Sequence, residues 1–182
     1  MDDNGVSSYR RFLSGDESAF DEIMITYRVP LIGFIRRWVR DEGDAEDIAI
    51  DVFAYVLTYP GRYDFSTSLK TYLFMLGRSR AIDHLRRLRR RPTVSLGELP
   101  FESEATASPE EDVVRAERGE SVKRAIERLP EKMRTAICLV YYEEMSYEEV
   151  AGVMRISVKA VDNLLYRAKG KLRSIIGEEG VL

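Results

Sequence analysis

Cysteine is almost missing from this sequence. Cys138 stands alone, so no disulfide can form within the chain. Its neighbours Ala136, Ile137, Leu139 and Val140 are apolar, which assigns it to a core as a small hydrophobe rather than to redox chemistry. Histidine is as scarce. His84 is the single one, and one His with one Cys cannot complete a zinc cluster of the usual ligand types. No apolar run approaches the roughly 20 residues of a membrane span. The opening residues, Met1-Asp2-Asp3-Asn4, lack the apolar centre of a signal peptide. No glycine-rich phosphate loop and no nucleophile–base pair stands out, so an enzyme is the weakest class. These absences predict a cytoplasmic protein that needs no metal, cofactor or membrane insertion.

Strand signals are nearly absent too, and the 182 residues suffice for one domain or two small ones. The expectation is an all-α protein. The net charge of −3 argues against indiscriminate coating of nucleic acid. The charge is unevenly placed, however, and its distribution matters more than its sum.

Residues 1–15 are polar and suggest at most a short helix over Tyr9 to Leu13. A long helix opens near Asp16. Phe20, Ile23, Met24, Tyr27, Leu31, Phe34, Ile35 and Trp38 recur at helical steps, with Pro30 expected to kink or break it. Asp44, Glu46, Asp47 and Asp51 lie mostly outward on the next helix, whose Ile48, Val52, Tyr55 and Val56 supply a buried face. Acids in the first turn suit the helix dipole. Pro60-Gly61 stops that helix.

Residues 61–70 form a loop with two aromatics, Tyr63 and Phe65. It can stack an unpaired base or simply close the core. From Leu69 a helix becomes strongly basic, with Arg78, Arg80, His84, Arg86, Arg87, Arg89, Arg90 and Arg91. Such a run suits a phosphate backbone, although a solvated helix end would look the same.

Pro92 ends this helix. Residues 92–112 are rich in Pro, Ser, Thr and acids and show no periodicity, which predicts a flexible acidic linker. The expected division is therefore a helical domain at 1–91, the linker, and a second helical domain at 113–182. In the second, Val113, Val114, Ser121, Val122, Ala125, Ile126 and Leu129 mark one helix. Pro130 starts another, with Met133, Ala136, Ile137, Val140 and Tyr141 buried.

Ser146 and Glu149 have the spacing of a capping box for a helix from Tyr147 to about Met154. A turn falls at Arg155-Ile156, and Ser157 is placed to cap a second helix. Val158, Val161, Leu165, Ala168, Leu172 and Ile175 make one stripe on it. Lys159, Asn163, Tyr166 and Arg167 take the other face. Such a helix suits the DNA major groove, since Arg and Lys donate to guanine edges and Asn pairs with adenine. A helical hairpin with a solvated charged face is the plain alternative. The tail from Gly177 to Leu182 is expected to be loose.

Two motif sets also match a known family, in the right order and with the right gap. Asp44-Ala-Glu-Asp-Ile, Asp51-Val-Phe, Thr71-Tyr-Leu-Phe and Arg78-Ser-Arg-Ala-Ile-Asp-His-Leu-Arg-Arg resemble region 2 of the extracytoplasmic-function sigma factors. Leu129-Pro-Glu-Lys-Met-Arg, Ser146-Tyr-Glu-Glu-Val-Ala, Ile156-Ser-Val-Lys-Ala-Val and Arg167-Ala-Lys resemble their region 4. The resemblance spans about residues 16 to 176. It implies a specificity subunit of bacterial RNA polymerase.

On that resemblance, Asp44, Glu46, Asp47, Asp51 and Tyr55 would bind the clamp of the polymerase core. Arg62, Tyr63, Phe65, Ser66, Tyr72, Arg78, Arg80, His84, Arg86 and Arg87 would meet the start-proximal (minus-ten) promoter element. Ser157, Lys159, Asn163, Tyr166, Arg167 and Lys169 would meet the distal (minus-thirty-five) element. The linker would thread toward the polymerase active site, and an anti-sigma factor would hold the protein off. The free chain is expected to be monomeric. The sequence departs from the family at Tyr72, where Trp is common, at Ser79, where Asn is common, and at Arg155, which replaces a turn glycine. Val161-Asp-Asn-Leu-Leu165 also replaces a frequent Val-Lys-Ser-Arg-Leu, so a promoter sequence does not carry over from relatives. Rival readings are a DNA-binding regulator whose first domain senses a ligand or dimerises, and an adaptor that binds only proteins.

Overall fold

The computed structural model describes residues 4–39, 41–90, 119 and 121–178. Among these, every regular element is helical, and no helix is long and apolar enough to cross a membrane. The expected linker of residues 92–112 lies outside the described residues, as do Arg40, Arg91, Val113, Val114 and residues 179–182. Grouped by contact, the chain falls into two compact units. One is Met1–Leu96 with Glu148–Ile156, the other Gly97–Tyr147 with Ser157–Leu182.

The first unit begins with α1 (Asn4–Leu13), a full helix where only a short one over Tyr9 to Leu13 was expected. Val6, Tyr9 and Phe12 recur every three residues, and Tyr9 is completely buried, so packing stabilises a helix that composition alone does not announce. Arg11 reaches Asp16 at 2.6 Å and Glu22 at 2.9 Å, and Ser8 donates to Glu22 at 2.8 Å. These partners hold the Asp16 and Glu22 carboxyls below their ordinary pKa range, Ser18 and Ser8 contributing most.

The second helix, α2 (Ser18–Arg36), runs through Pro30 without breaking. A proline in a helix interior costs about 3 kcal/mol. Tyr27, Leu31, Phe34 and Ile35 are buried on both sides of it. At about 1.5–3 kcal/mol for each large apolar side chain, their burial outweighs that cost.

Asp41 then caps α3 (Glu42–Thr58), its carboxylate accepting the Asp44 amide N–H at 2.8 Å. A single 3-10 turn, Pro60–Arg62, follows. The hydroxyl of Ser68 accepts the Thr71 N–H at 3.1 Å and so caps α4 (Leu69–Arg90). The core lies where α2, α3 and α4 meet. Phe34 packs on Trp38 at 4.4 Å and on Phe74 at 4.9 Å between ring centroids. Gly77 lets α4 come close to α2, since a Cβ there would lie 2.9 Å from Leu31 Cδ1.

The second unit contains α5, helical over residues 121–127, and α6 (Glu131–Tyr141). Ala125, Ile126, Leu129, Met133, Ala136, Ile137 and Leu139 are buried there with Cys138. Two expectations fail. Tyr141 is half exposed and Val140 only partly covered, although Cys138 and Leu139 in the same turn are buried, so these two stand on the side of that turn that turns away from the core.

Replacing Phe34 by Ala should remove about 3–5 kcal/mol of stability from the first unit. Its contact with Trp38, the only tryptophan, makes fluorescence-detected denaturation the measurement.

Candidate nucleic-acid interface

Chain direction carries α7 (Tyr147–Met154) into α8 (Val158–Glu178) through a three-residue turn. The Arg155 N–H bonds the Gly152 carbonyl at 3.3 Å and the Ile156 N–H bonds the Ala151 carbonyl at 3.1 Å. With Arg155 at φ +54°, this is a Schellman stop. It normally takes glycine, the residue the sequence lacks here. Ser157 then accepts the Ala160 N–H at 3.2 Å, the cap expected of it.

On α8, Val161, Leu165, Ala168 and Ile175 are buried. Val158 is 40% exposed: it stands in the first turn, at the edge of the stripe. The helix continues through Gly177 and Glu178, where a loose tail was expected. Lys159, Asn163, Tyr166 and Arg167 are all exposed, Tyr166 at 80%. At about 100° per residue they share one side of the helix. Lys169 departs from them. Its ammonium lies 5.6 Å from the centroid of the Tyr141 ring, and a hydrogen bond with Tyr141 raises its pKa.

In the first unit, residues expected at two separate surfaces meet. His84 Nε2 of α4 lies 3.2 Å from Asp44 Oδ2 of α3. The Arg80 guanidinium lies over the Tyr55 ring at 4.9 Å. Arg86 reaches Asp83 at 3.2 Å, while Arg87 and Arg90 are exposed. Arg78 is half-buried, and the side chain of Arg89 lies outside the described residues.

Asp47 and Asp51 are exposed, and Glu46 is half-buried. Between them the same face of α3 carries Ile50, Ala54 and Leu57, all exposed. Sequence reasoning passed over these three, although their spacing of four and three residues was a visible signal. Ile50, Ala54 and Leu57 thus make an exposed apolar stripe bordered by acids.

The loop before α4 divides its residues. Tyr63 is 3% exposed. Its hydroxyl donates to the Thr67 carbonyl at 2.6 Å, and its ring stacks on Tyr72 at 5.1 Å. Tyr63 therefore closes the core, which corrects the expectation that it faces a base. Phe65 is the opposite case, 36% exposed with φ +61°. Ser66 donates its N–H and its hydroxyl to Asp64 at 3.0 and 2.7 Å, which lowers the Asp64 pKa. Arg62 is exposed, and Tyr72 is half-buried with its phenol raised, chiefly by that burial.

The sequence matches two family models, Sigma-70 region 2 over residues 23–91 and Sigma-70, region 4 over residues 119–172. It is 32% identical over 175 residues to the RNA polymerase sigma-H factor of Pseudomonas aeruginosa, covering 87% of this chain and 86% of that one. The chain belongs to the sigma-70 family of RNA polymerase sigma factors, in its extracytoplasmic-function branch. It is also 30% identical over 158 residues to the extracytoplasmic-function sigma factor SigM of Bacillus subtilis, covering 85% of this chain and 93% of that one.

Among solved structures, CnrH in complex with the cytosolic domain of CnrY shares the fold. The TM-score is 0.72 at 24% identity, over 97% of this chain and 99% of that one. The sigma factor RpoE in complex with the anti-sigma factor NepR, from Bartonella quintana, does so at 0.68 and 18%, over 87% and 96%. As a sigma factor the chain acts in promoter-specific initiation of transcription. The α3–α4 pairs lie within its region 2 and α8 falls mostly within its region 4.

Left-handed backbone costs a residue other than glycine roughly 1–2 kcal/mol, part of which glycine forfeits through its greater loss of entropy on folding. Arg155→Gly should therefore stabilise the chain by about 0.5–1 kcal/mol. Calorimetry should show this as a Tm higher by a few degrees.

Proposed function

We propose that this sigma factor grips promoter DNA with two helical domains, residues 1–91 and 113–182, joined by the acidic linker of residues 92–112. The observation that carries this reading is the division of α8, which buries Val161, Leu165 and Ala168 and exposes Lys159, Asn163 and Arg167. That face suits the major groove at the distal element. Each good bidentate contact to a base there is worth roughly 1–3 kcal/mol of discrimination. Ser157 and Tyr166 flank it, and Lys169 stands at its margin.

The start-proximal element meets Arg62, Phe65, Ser66, Tyr72 and the cations of α4. Arg86 and Arg87 contact phosphates and fix register. Arg78, Arg80 and His84 stand deeper, so they hold α4 in place and contribute field more than direct contact. A base leaving the duplex costs a few kcal/mol, which stacking on Phe65 offsets. The core polymerase docks on α3 through Asp47, Asp51 and the Ile50, Ala54 and Leu57 stripe, with Asp44, Glu46 and Tyr55 beside it. The protein supplies binding energy and no bond chemistry. It works in the cytoplasm as a monomer when free, and an anti-sigma factor restrains it, as the partner named in the Bartonella quintana complex suggests.

The test is reconstitution with core polymerase on promoters mapped from transcript 5′ ends. Specific run-off transcripts are expected. Their absence would favour a self-sufficient regulator. Lys159→Ala and Arg167→Ala should each lower promoter affinity about fivefold to a hundredfold while leaving polymerase assembly intact. Unchanged promoter selection in both variants would sink the assignment of this face. Replacing Asp47 and Asp51 together by Lys should weaken assembly with core in a pull-down or sedimentation assay. Full retention would show that those acids are merely solvated.

A further inference from the structure

Phe65 holds a backbone conformation that suits it badly. A bulky residue at positive φ is an outlier and persists only where its surroundings over-determine it. Part of the restraint is inside the loop: Tyr63 packs on the Phe65 ring at 4.7 Å, and Asp64 ties Ser66. The rest comes from α1, more than fifty residues earlier in the chain. The Arg10 guanidinium lies over the Phe65 ring, 5.2 Å from its centroid. The Tyr9 ring meets Phe65 edge-on at 6.0 Å and Tyr63 at 5.2 Å. The Tyr9 hydroxyl donates to the Pro60 carbonyl at 2.7 Å, at the turn where the loop begins. Burial pushes the Tyr9 phenol up to about 12, so it remains a donor at any physiological pH.

We propose that α1 positions the base-capturing loop. Tyr9 anchors the start of the loop, and Arg10 lies over the Phe65 ring and holds it so that its exposed part meets an unpaired nucleobase. This rests on the reading of residues 61–70 as the segment that meets the melted strand. Geometry favours the assignment over a purely structural role for α1. Tyr9 alone would suffice to seat the helix, because it is buried. Arg10 is exposed and adds little to a core. What it does is cover an aromatic face that would otherwise be wet. Guanidinium planes pack on phenyl rings and on nucleobases alike, so Arg10 can brace Phe65 on the side away from an incoming base. The residues that select the promoter therefore include two that lie outside the matched region 2, which begins at residue 23.

The test is a double-mutant cycle with holoenzyme, made from the full chain and core polymerase. The template is a promoter mapped from transcript 5′ ends, with 2-aminopurine in the nontemplate strand of the start-proximal element. Arg10→Ala should slow the fluorescence rise of strand opening about two- to fivefold, the worth of an exposed cation–π contact. The same change in a Phe65→Ala background should do nothing further. The Tm of the free chain and the salt dependence of binding should both stay as they are. Tyr9→Phe, which keeps the ring and loses the hydroxyl, should slow opening too, and less so when Phe65 is already gone.

The outcomes separate cleanly. If Phe65→Ala slows opening and Arg10→Ala does not, the loop reading stands and the role of α1 is overturned. If the two losses add, and the salt slope falls by about one, Arg10 is a direct phosphate contact and the positioning role is overturned. If Phe65→Ala itself has no effect, the loop reading fails and the role of α1 fails with it.

Discussion

Phe34 sits between Trp38 and Phe74 with no exposed surface, and the rest of the first unit follows from that packing. It fixes α4 against α2, and Gly77 makes the approach close enough. Once α4 is placed, α3 has one site left on the same core, with Ile48, Val52 and Val56 inward. The outward sides of α3 and α4 are then set. Acids and apolar residues share one of them and arginines share the other.

Where the two helices meet, their functional chemistries touch. Asp44 faces His84, and Tyr55 lies beneath Arg80. The surface proposed for the polymerase and the surface proposed for DNA thus adjoin, with side chains of one in contact with side chains of the other. Arginines that read in sequence as a uniform phosphate-binding run are in fact divided. Some brace the helix pair, and others, such as Arg87 and Arg90, remain open to solvent.

Much of the fold was legible because helix periodicity is a local property. The α8 stripe, the cap at Ser157 and the turn at Arg155 all follow from residues within two turns of one another. The buried Cys138 was legible for the same reason, its neighbours being apolar on every side. The errors also have a common cause. Pro30 reads as a kink or a break because the local cost of proline is plain, whereas the burial that keeps the helix continuous is not local. Val158 and Tyr141 belong to their stripes by spacing, yet both stand at the margin of the buried side and stay half exposed. Ile50, Ala54 and Leu57 do not stand out in the sequence because the acids around Ile50 dominate the pattern of α3.

By itself the sequence determined most of the helices, the cap at Ser157, most of the side that α8 buries, and the family. Each of these depends on residue type at short range, where covalent geometry supplies the periodicity. Only the tertiary structure decided that Tyr63 belongs to the core while Phe65 does not, and that α1 reaches the loop at all. Those facts depend on side chains brought together from positions 9, 10, 63, 65 and 72. No pattern along the chain encodes such a meeting, because it is the shared exclusion of water that selects which rings assemble.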